Sequence, residues 1–162
     1  VLGDTLLRDF MPEEIAGVVA HELGHQVHGD IWRLIAMGGA MGFGSAWLLS
    51  RLAPRAISAT SEATGVAETG DEAAYPLLVI LGAGLGFLAS PLQAAVSRWM
   101  ERRADRYAIE LTQDPEAYAK AMERLAATAL ADPDPPRPVV IMLYSHPPIA
   151  ERIRAARATR LV

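Results

Sequence analysis

Hydrophobic and polar positions change rhythm several times along the chain. Val1 to Leu7 is a short, largely apolar run that predicts a strand leading into a turn. Ile15, Val18, Val19 and Leu23 then recur at helical spacing, which predicts a helix from Pro12 to about Gly29. Proline suits a first helical turn, and Glu13 and Glu14 favour the positive end of the helix dipole. Two charge-free stretches follow. Leu34 to Ser50 holds seventeen residues between Arg33 and Arg51, and Ala73 to Ser97 holds twenty-five. As helices they would cover roughly 26 Å and roughly 37 Å, against a hydrocarbon core of roughly 30 Å. The first is marginal for a membrane crossing and the second ample, with a kink expected at Pro91. Gly38 with Gly42, and Gly82 with Gly86, stand four apart, a spacing that lets two helices pack backbone to backbone in lipid. Residues 51–72, acidic and rich in Ser, Thr, Ala and Gly, predict a loop between the two stretches.

The pattern turns charged at Arg98. Residues 98–111 predict a helix, and Asp114-Pro115-Glu116 marks the start of another, running to about Ala131. Residues 132–138 are proline-rich and predict an irregular loop. A short apolar run, Val139 to Leu143, leads to Ser145-His146-Pro147-Pro148 and a last helix carrying Arg152, Arg154 and Arg157. The expected fold is mainly α with minimal strand. It is one domain over residues 1–162, with a two-helix membrane hairpin (34–50 and 73–97) inserted between the helices that carry the chemistry. A buried helical hairpin in a soluble protein would show the same apolar pattern. The chain opens on valine, without a visible signal peptide, and reads as part of a longer protein.

Composition narrows the function. The 162 residues are enough for a real core, and 51% apolar is high for a soluble domain but low for an all-membrane protein. A net charge of −4 and the lack of a basic run speak against a nucleic-acid partner. The chain has no cysteine, so it forms no disulfide, and any metal is held by His, Asp or Glu.

One motif carries chemistry outright. His21-Glu22-Leu23-Gly24-His25 is an HExxH sequence. Four residues apart on a helix, both imidazoles reach one ion, and Glu22, one step round, is placed to activate water. A chance HExxH on a soluble surface helix is the plain alternative. A catalytic zinc takes three protein ligands and one open position, so a third donor is needed. His28 lies two turns from His21 and is too far along the axis, which leaves His146 or a carboxylate. Glu101 and Asp105, four apart on one helical face, offer a ligand and a partner for a ligand imidazole. The same spacing fits an ordinary charged helix pairing with Arg98, Arg102 and Arg103.

Taken in order, Val19-Ala20-His21-Glu22-Leu23-Gly24-His25, then Ser97-Arg98 with Glu101 and Ala104-Asp105, then Ser145-His146-Pro147-Pro148 with Glu151-Arg152-Ile153, resemble one family. It is the integral-membrane zinc metallopeptidases of gluzincin type that include the CAAX prenyl protease and the heat-shock protease HtpX. Asp4-Thr5-Leu6-Leu7 and Pro91-Leu92-Gln93 lean towards the CAAX branch, and Gly29-Asp30 towards HtpX. The resemblance implies a zincin-like core and one zinc ion held by His21, His25 and Glu101. It implies Glu22 as catalytic base, Asp105 as support behind the ligands, and His146 as either an oxyanion donor or a loop anchor. The implied activity is hydrolysis of a peptide or protein substrate at a membrane, either processing prenylated C-termini or degrading membrane proteins. A non-catalytic, zinc-stabilised membrane scaffold is the rival, although such a site has no use for a free carboxylate at Glu22. Arg33, Arg98, Arg102, Arg103 and Arg106 flank the apolar stretches on the site's side, which predicts a multi-pass protein in contact with membrane lipid, its site facing the cytoplasm.

Overall fold

Seven α-helices and no strand make up the described residues, which in this computed structural model are 4–129, 132 and 134–160. Helix α1 (Asp4–Asp9) replaces the strand expected over Val1 to Leu7 at residues 4–7, and residues 1–3 lie outside the described residues. Helix α2 (Pro12–Val27) starts as its sequence predicts, and the Glu14 side chain turns back to accept the Met11 backbone N–H at 2.9 Å. That carboxylate is buried and also takes Arg124 at 3.0 Å, tying the start of α2 to a helix far along the chain. Gly29, at φ +64°, makes the left-handed step that ends α2 and lets α3 (Asp30–Thr64) begin at once.

Helix α3 overturns the loop expected over residues 51–72. It runs through Pro54 to Thr64, and only a short connection and a 3-10 turn (Glu72–Ala74) precede α4 (Tyr75–Thr112). The hydroxyls explain the misreading. Thr60 donates to the Ala56 carbonyl at 2.9 Å and Thr64 to the Thr60 carbonyl at 2.9 Å, so these polar side chains are satisfied inside the helix. Helix α4 joins the second apolar stretch to the charged segment without a break, continuing through Pro91. Then come α5 (Pro115–Ala129), α6 (Arg137–Leu143) and α7 (Ile149–Ala158). Residues 130 and 131, where α5 was expected to end, lie outside the described residues. The apolar run at 139–143 is helical because Pro138 sits in a first turn, where a missing N–H costs nothing.

The chain divides into two compact units, residues 1–31 with 92–162, and residues 32–91. In the second unit, Ile57, Val66 and Ala74 form a small core with Leu77. Among the described residues no atom stands within 4 Å of where a Cβ would be on Gly38, Gly42, Gly82 or Gly86, so these glycines show no backbone-to-backbone packing there. Among the described residues one helix, not two, is long and apolar enough to cross a membrane, the one spanning Glu72–Thr112.

The first unit holds the main core. Ala20 of α2, Ala108 and Ile109 of α4, Tyr118, Ala119, Ala121 and Met122 of α5, and Ala156 of α7 are buried together. Small side chains bring these helices close. One close approach is at Gly24, where a Cβ would lie 3.1 Å from the Ala104 Cα and 3.3 Å from its carbonyl oxygen. Backbone atoms cannot swing aside, so the glycine within HExxH is what lets α2 lie against α4. Gly24→Ala is therefore expected to lower stability by about 1–2 kcal/mol, overpacking outweighing the gain in helix propensity. A denaturant melt checks this, and an unchanged or raised midpoint would show that the contact is not limiting.

Candidate metal centre

That close approach brings residues from two distant parts of the chain to one point. His21 Nε2 and His25 Nε2 lie 3.2 Å apart. Glu101 places Oε2 3.5 Å from the first and Oε1 3.5 Å from the second. These three residues form a group whose donor atoms all lie within 4.8 Å of one another. In a tetrahedral site with bonds of about 2.0–2.1 Å, donor atoms stand about 3.3 Å apart, and the two imidazole nitrogens lie at that spacing. His21 and Glu101 are buried, and Glu101 Oε2 is shut from solvent with two imidazole nitrogens turned to it, His21 Nε2 at 3.5 Å and His146 Nδ1 at 3.0 Å. Two imidazole nitrogens and a buried carboxylate brought to one place are the donor chemistry that a divalent cation such as zinc takes. The residues fit the metal that the motif implies.

Asp105 lies behind His21. Its Oδ1 is 3.0 Å from His21 Nδ1, which directs Nε2 towards Glu101. The same carboxylate accepts the Tyr118 hydroxyl at 2.6 Å and Arg152 at 2.6 and 2.9 Å. Burial alone would raise the Asp105 carboxyl, but hydrogen bonds from His21 and Arg152, with the Arg152 charge and the Tyr118 hydroxyl, hold it down to about 2. A depressed carboxyl contributes stability above its ordinary value of 3.8 that is lost as pH falls through about 2. Chelated protein is thus expected to lose on the order of 2 kcal/mol between pH 4 and pH 2. Asp105→Asn should flatten that part of the stability profile, and an identical acid limb in the variant would remove Asp105 as its source.

His146 reaches the group from the turn between α6 and α7. The buried Pro147 and Pro148 fix that turn, and the imidazole stands 62% exposed with Nδ1 3.0 Å from Glu101 Oε2. The Glu101 carboxylate raises His146 above the ordinary imidazole range, partial burial opposing. Burial would likewise raise Glu101, but His146, followed by His21 and Arg152, brings it below the usual carboxylate value. A cation held here would compete with His146 for that oxygen. Arg98 anchors the same turn. It is buried and donates Nη1 to the carbonyls of Val140 at 2.9 Å and Tyr144 at 2.7 Å, at the end of α6.

Glu22 is exposed on α2 and, among the described residues, makes no hydrogen bond or ion pair. His28 stands apart from the group, edge-on to Tyr107 at 5.7 Å. Tyr118 and Arg152 were not anticipated as site residues. Arg152 stood within one of the quoted motifs without a role, and Tyr118 had no signal beyond its place on an amphipathic helix. Of the arginines read as surface ion-pair partners of Glu101 and Asp105, Arg102 is half exposed and pairs with Glu151 instead, at 2.8 Å. Arg98 and Arg103 point into the protein.

The helical fold, the His-His-Glu donor set and a free glutamate inside HExxH define a metallopeptidase core. The chain belongs to peptidase family M48, whose model matches residues 1–160. Membership implies a metal ion at a site of this kind. An uncharacterised metalloprotease of Bacillus subtilis, YhfN, is 37% identical over 96% of this chain and 37% of its own length. Protease HtpX of Cellvibrio japonicus is 31% identical over 94% of this chain and 54% of its own. A protease HtpX homologue of Syntrophobacter fumaroxidans is 30% identical over 94% of this chain and 59% of its own. The chain thus spans less than two thirds of each of these relatives.

Proposed function

We propose that this chain is the catalytic core of a zinc-dependent endopeptidase acting at a membrane. The observation that carries the reading is that His21, His25 and Glu101 each bring a donor atom to within 4.8 Å of the others. When bound there, zinc supplies the Lewis acidity that makes hydroxide available near neutral pH. Glu22, unpaired and exposed beside His21, takes a proton from the attacking water and passes it to the leaving amine. His146, at the mouth of the site, donates to the substrate carbonyl oxygen as it gains charge. Asp105, held by Arg152 and Tyr118, keeps the His21 ring in place throughout. The free Glu22 favours this reading over a scaffold held together by zinc. The test is hydrolysis of a peptide library, a prenylated peptide and an unfolded membrane protein by purified protein, with and without chelator. Metal content near one zinc per chain and chelator-sensitive cleavage are expected. The preferred substrate separates C-terminal processing from degradation, and metal-free protein that cleaves at full rate would overturn the reading.

Membrane association rests on α4. Only 6% of its most apolar window is buried, and Phe87, Leu88 and Leu92 are exposed. Helix α3 also exposes Phe43 and Trp47. His21 precedes both apolar stretches and Glu101 follows them, so a shared site requires an even number of crossings. If α4 crosses, the less apolar α3 has to cross as well, and the arginines near its start and near the end of α4 support a site on the cytoplasmic side. A cysteine at Glu68, in the connection between the helices, is then expected to react with an impermeant thiol reagent in intact cells. Reaction only after permeabilisation would reverse the orientation.

A further inference from the structure

We propose that Asp30, paired with Arg103, is the positioning residue for the second metal-binding imidazole, His25. The inference rests on the reading of His21, His25 and Glu101 as a metal site, and assigns a role that this site's own sequence motif leaves open.

An acidic residue at the start of a helix is ordinary, and Asp30 is the first residue of α3. Its contacts are not those of a residue that only serves its own helix. The side chain is buried, Oδ2 lies 2.9 Å from His25 Nδ1, and Oδ1 pairs with Arg103 Nη2. An imidazole whose Nδ1–H is given to a carboxylate presents Nε2 as a lone-pair donor, and here Nε2 faces His21 and Glu101. Arg103 lies two residues after Glu101 on α4, so the pair also fastens the His25 side of the site to the helix that supplies the carboxylate. The guanidinium is packed against Trp99, its carbon 4.4 Å from the ring centroid, which limits where Asp30 can be held.

The arrangement matches the one behind His21. There Asp105 takes the ring Nδ1 and is gripped by Arg152, and here Asp30 takes the ring Nδ1 and is gripped by Arg103. Each ligand imidazole has its own carboxylate, and each carboxylate its own arginine. Gly29 is part of the device, because its left-handed step brings residue 30 back beneath residue 25.

The experiment measures zinc affinity by chelator competition, and the visible spectrum of cobalt-substituted protein, for full-length wild type, Asp30→Ala and Asp30→Asn. Far-UV circular dichroism monitors the fold. Wild type that binds no zinc would refute the metal site itself, apart from any role of Asp30. With wild type binding, Asp30→Ala is expected to lose about 10- to 100-fold in affinity and to alter the cobalt bands. Asp30→Asn keeps an acceptor for the Nδ1–H without the charge and is expected to lose less. Folded variants with wild-type affinity and an unchanged cobalt spectrum would overturn the proposal. Should Asp30→Ala not fold, Asp30→Asn decides alone, since a side chain that served only the fold would leave the cobalt bands of the folded variant where they are.

Discussion

Glu22→Gln is expected to bind zinc as wild type does and to lose hydrolysis by about 10²- to 10⁴-fold, the contribution of a general base. The substitution preserves size and removes only the capacity to accept a proton. Metal binding should survive because Glu22 belongs neither to the donor group nor to the contacts behind it. The fold should survive as well, since an exposed residue without partners among the described residues has nothing to lose on becoming neutral. Single-turnover cleavage with metal content measured on the same sample checks both halves. Near wild-type cleavage would remove Glu22 from the mechanism, and loss of metal would give it a binding role instead.

Glu101→Ala should remove metal and activity together. The variant leaves two imidazoles without their third donor, and leaves Arg152 and His146, which approach the same carboxylate at 3.8 and 3.0 Å, facing an empty space. Activity is expected to fall below detection and zinc affinity by well over the 10- to 100-fold typical of a supporting residue. Glu101→Asp, one methylene shorter, tests reach while keeping charge. Full metal occupancy in Glu101→Ala would move the third ligand elsewhere, with His146 the nearest alternative.

What could be read in advance follows the range of the interactions. HExxH is legible because its geometry is local: helical spacing alone puts His21 and His25 on one face. The pairing of that face with Glu101 crosses the whole second unit, and no periodicity encodes it. Only the order of several motifs suggested it. Tyr118 and Arg152 were hidden for the same reason, each looking ordinary on its own helix and acquiring meaning only where α5, α7 and α4 meet behind His21. Arg98 and Arg103 were misjudged because charge suggests a surface, whereas one is satisfied by two helix-end carbonyls and the other by Asp30. The secondary-structure misreadings were local. Hydroxyls that bond back along α3 look like loop chemistry in a composition. The apolar run Val139 to Leu143 carries no secondary-structure assignment of its own in the sequence, and Pro138 sets the first turn of α6 there.

The insertion of residues 32–91 between the two halves of the donor set has a consequence in polymer terms. An ion shared by His25 and Glu101 would be a reversible cross-link closing a very long loop. Such a link acts chiefly on the unfolded chain, and for loops approaching a hundred residues the loss of freedom is worth on the order of 4 kcal/mol. The cost of closure grows only with the logarithm of loop length, so the intervening helices can lengthen or shorten with little change in what the cross-link contributes. Chain topology thereby separates the evolution of the apolar segment from the stability of the centre it interrupts.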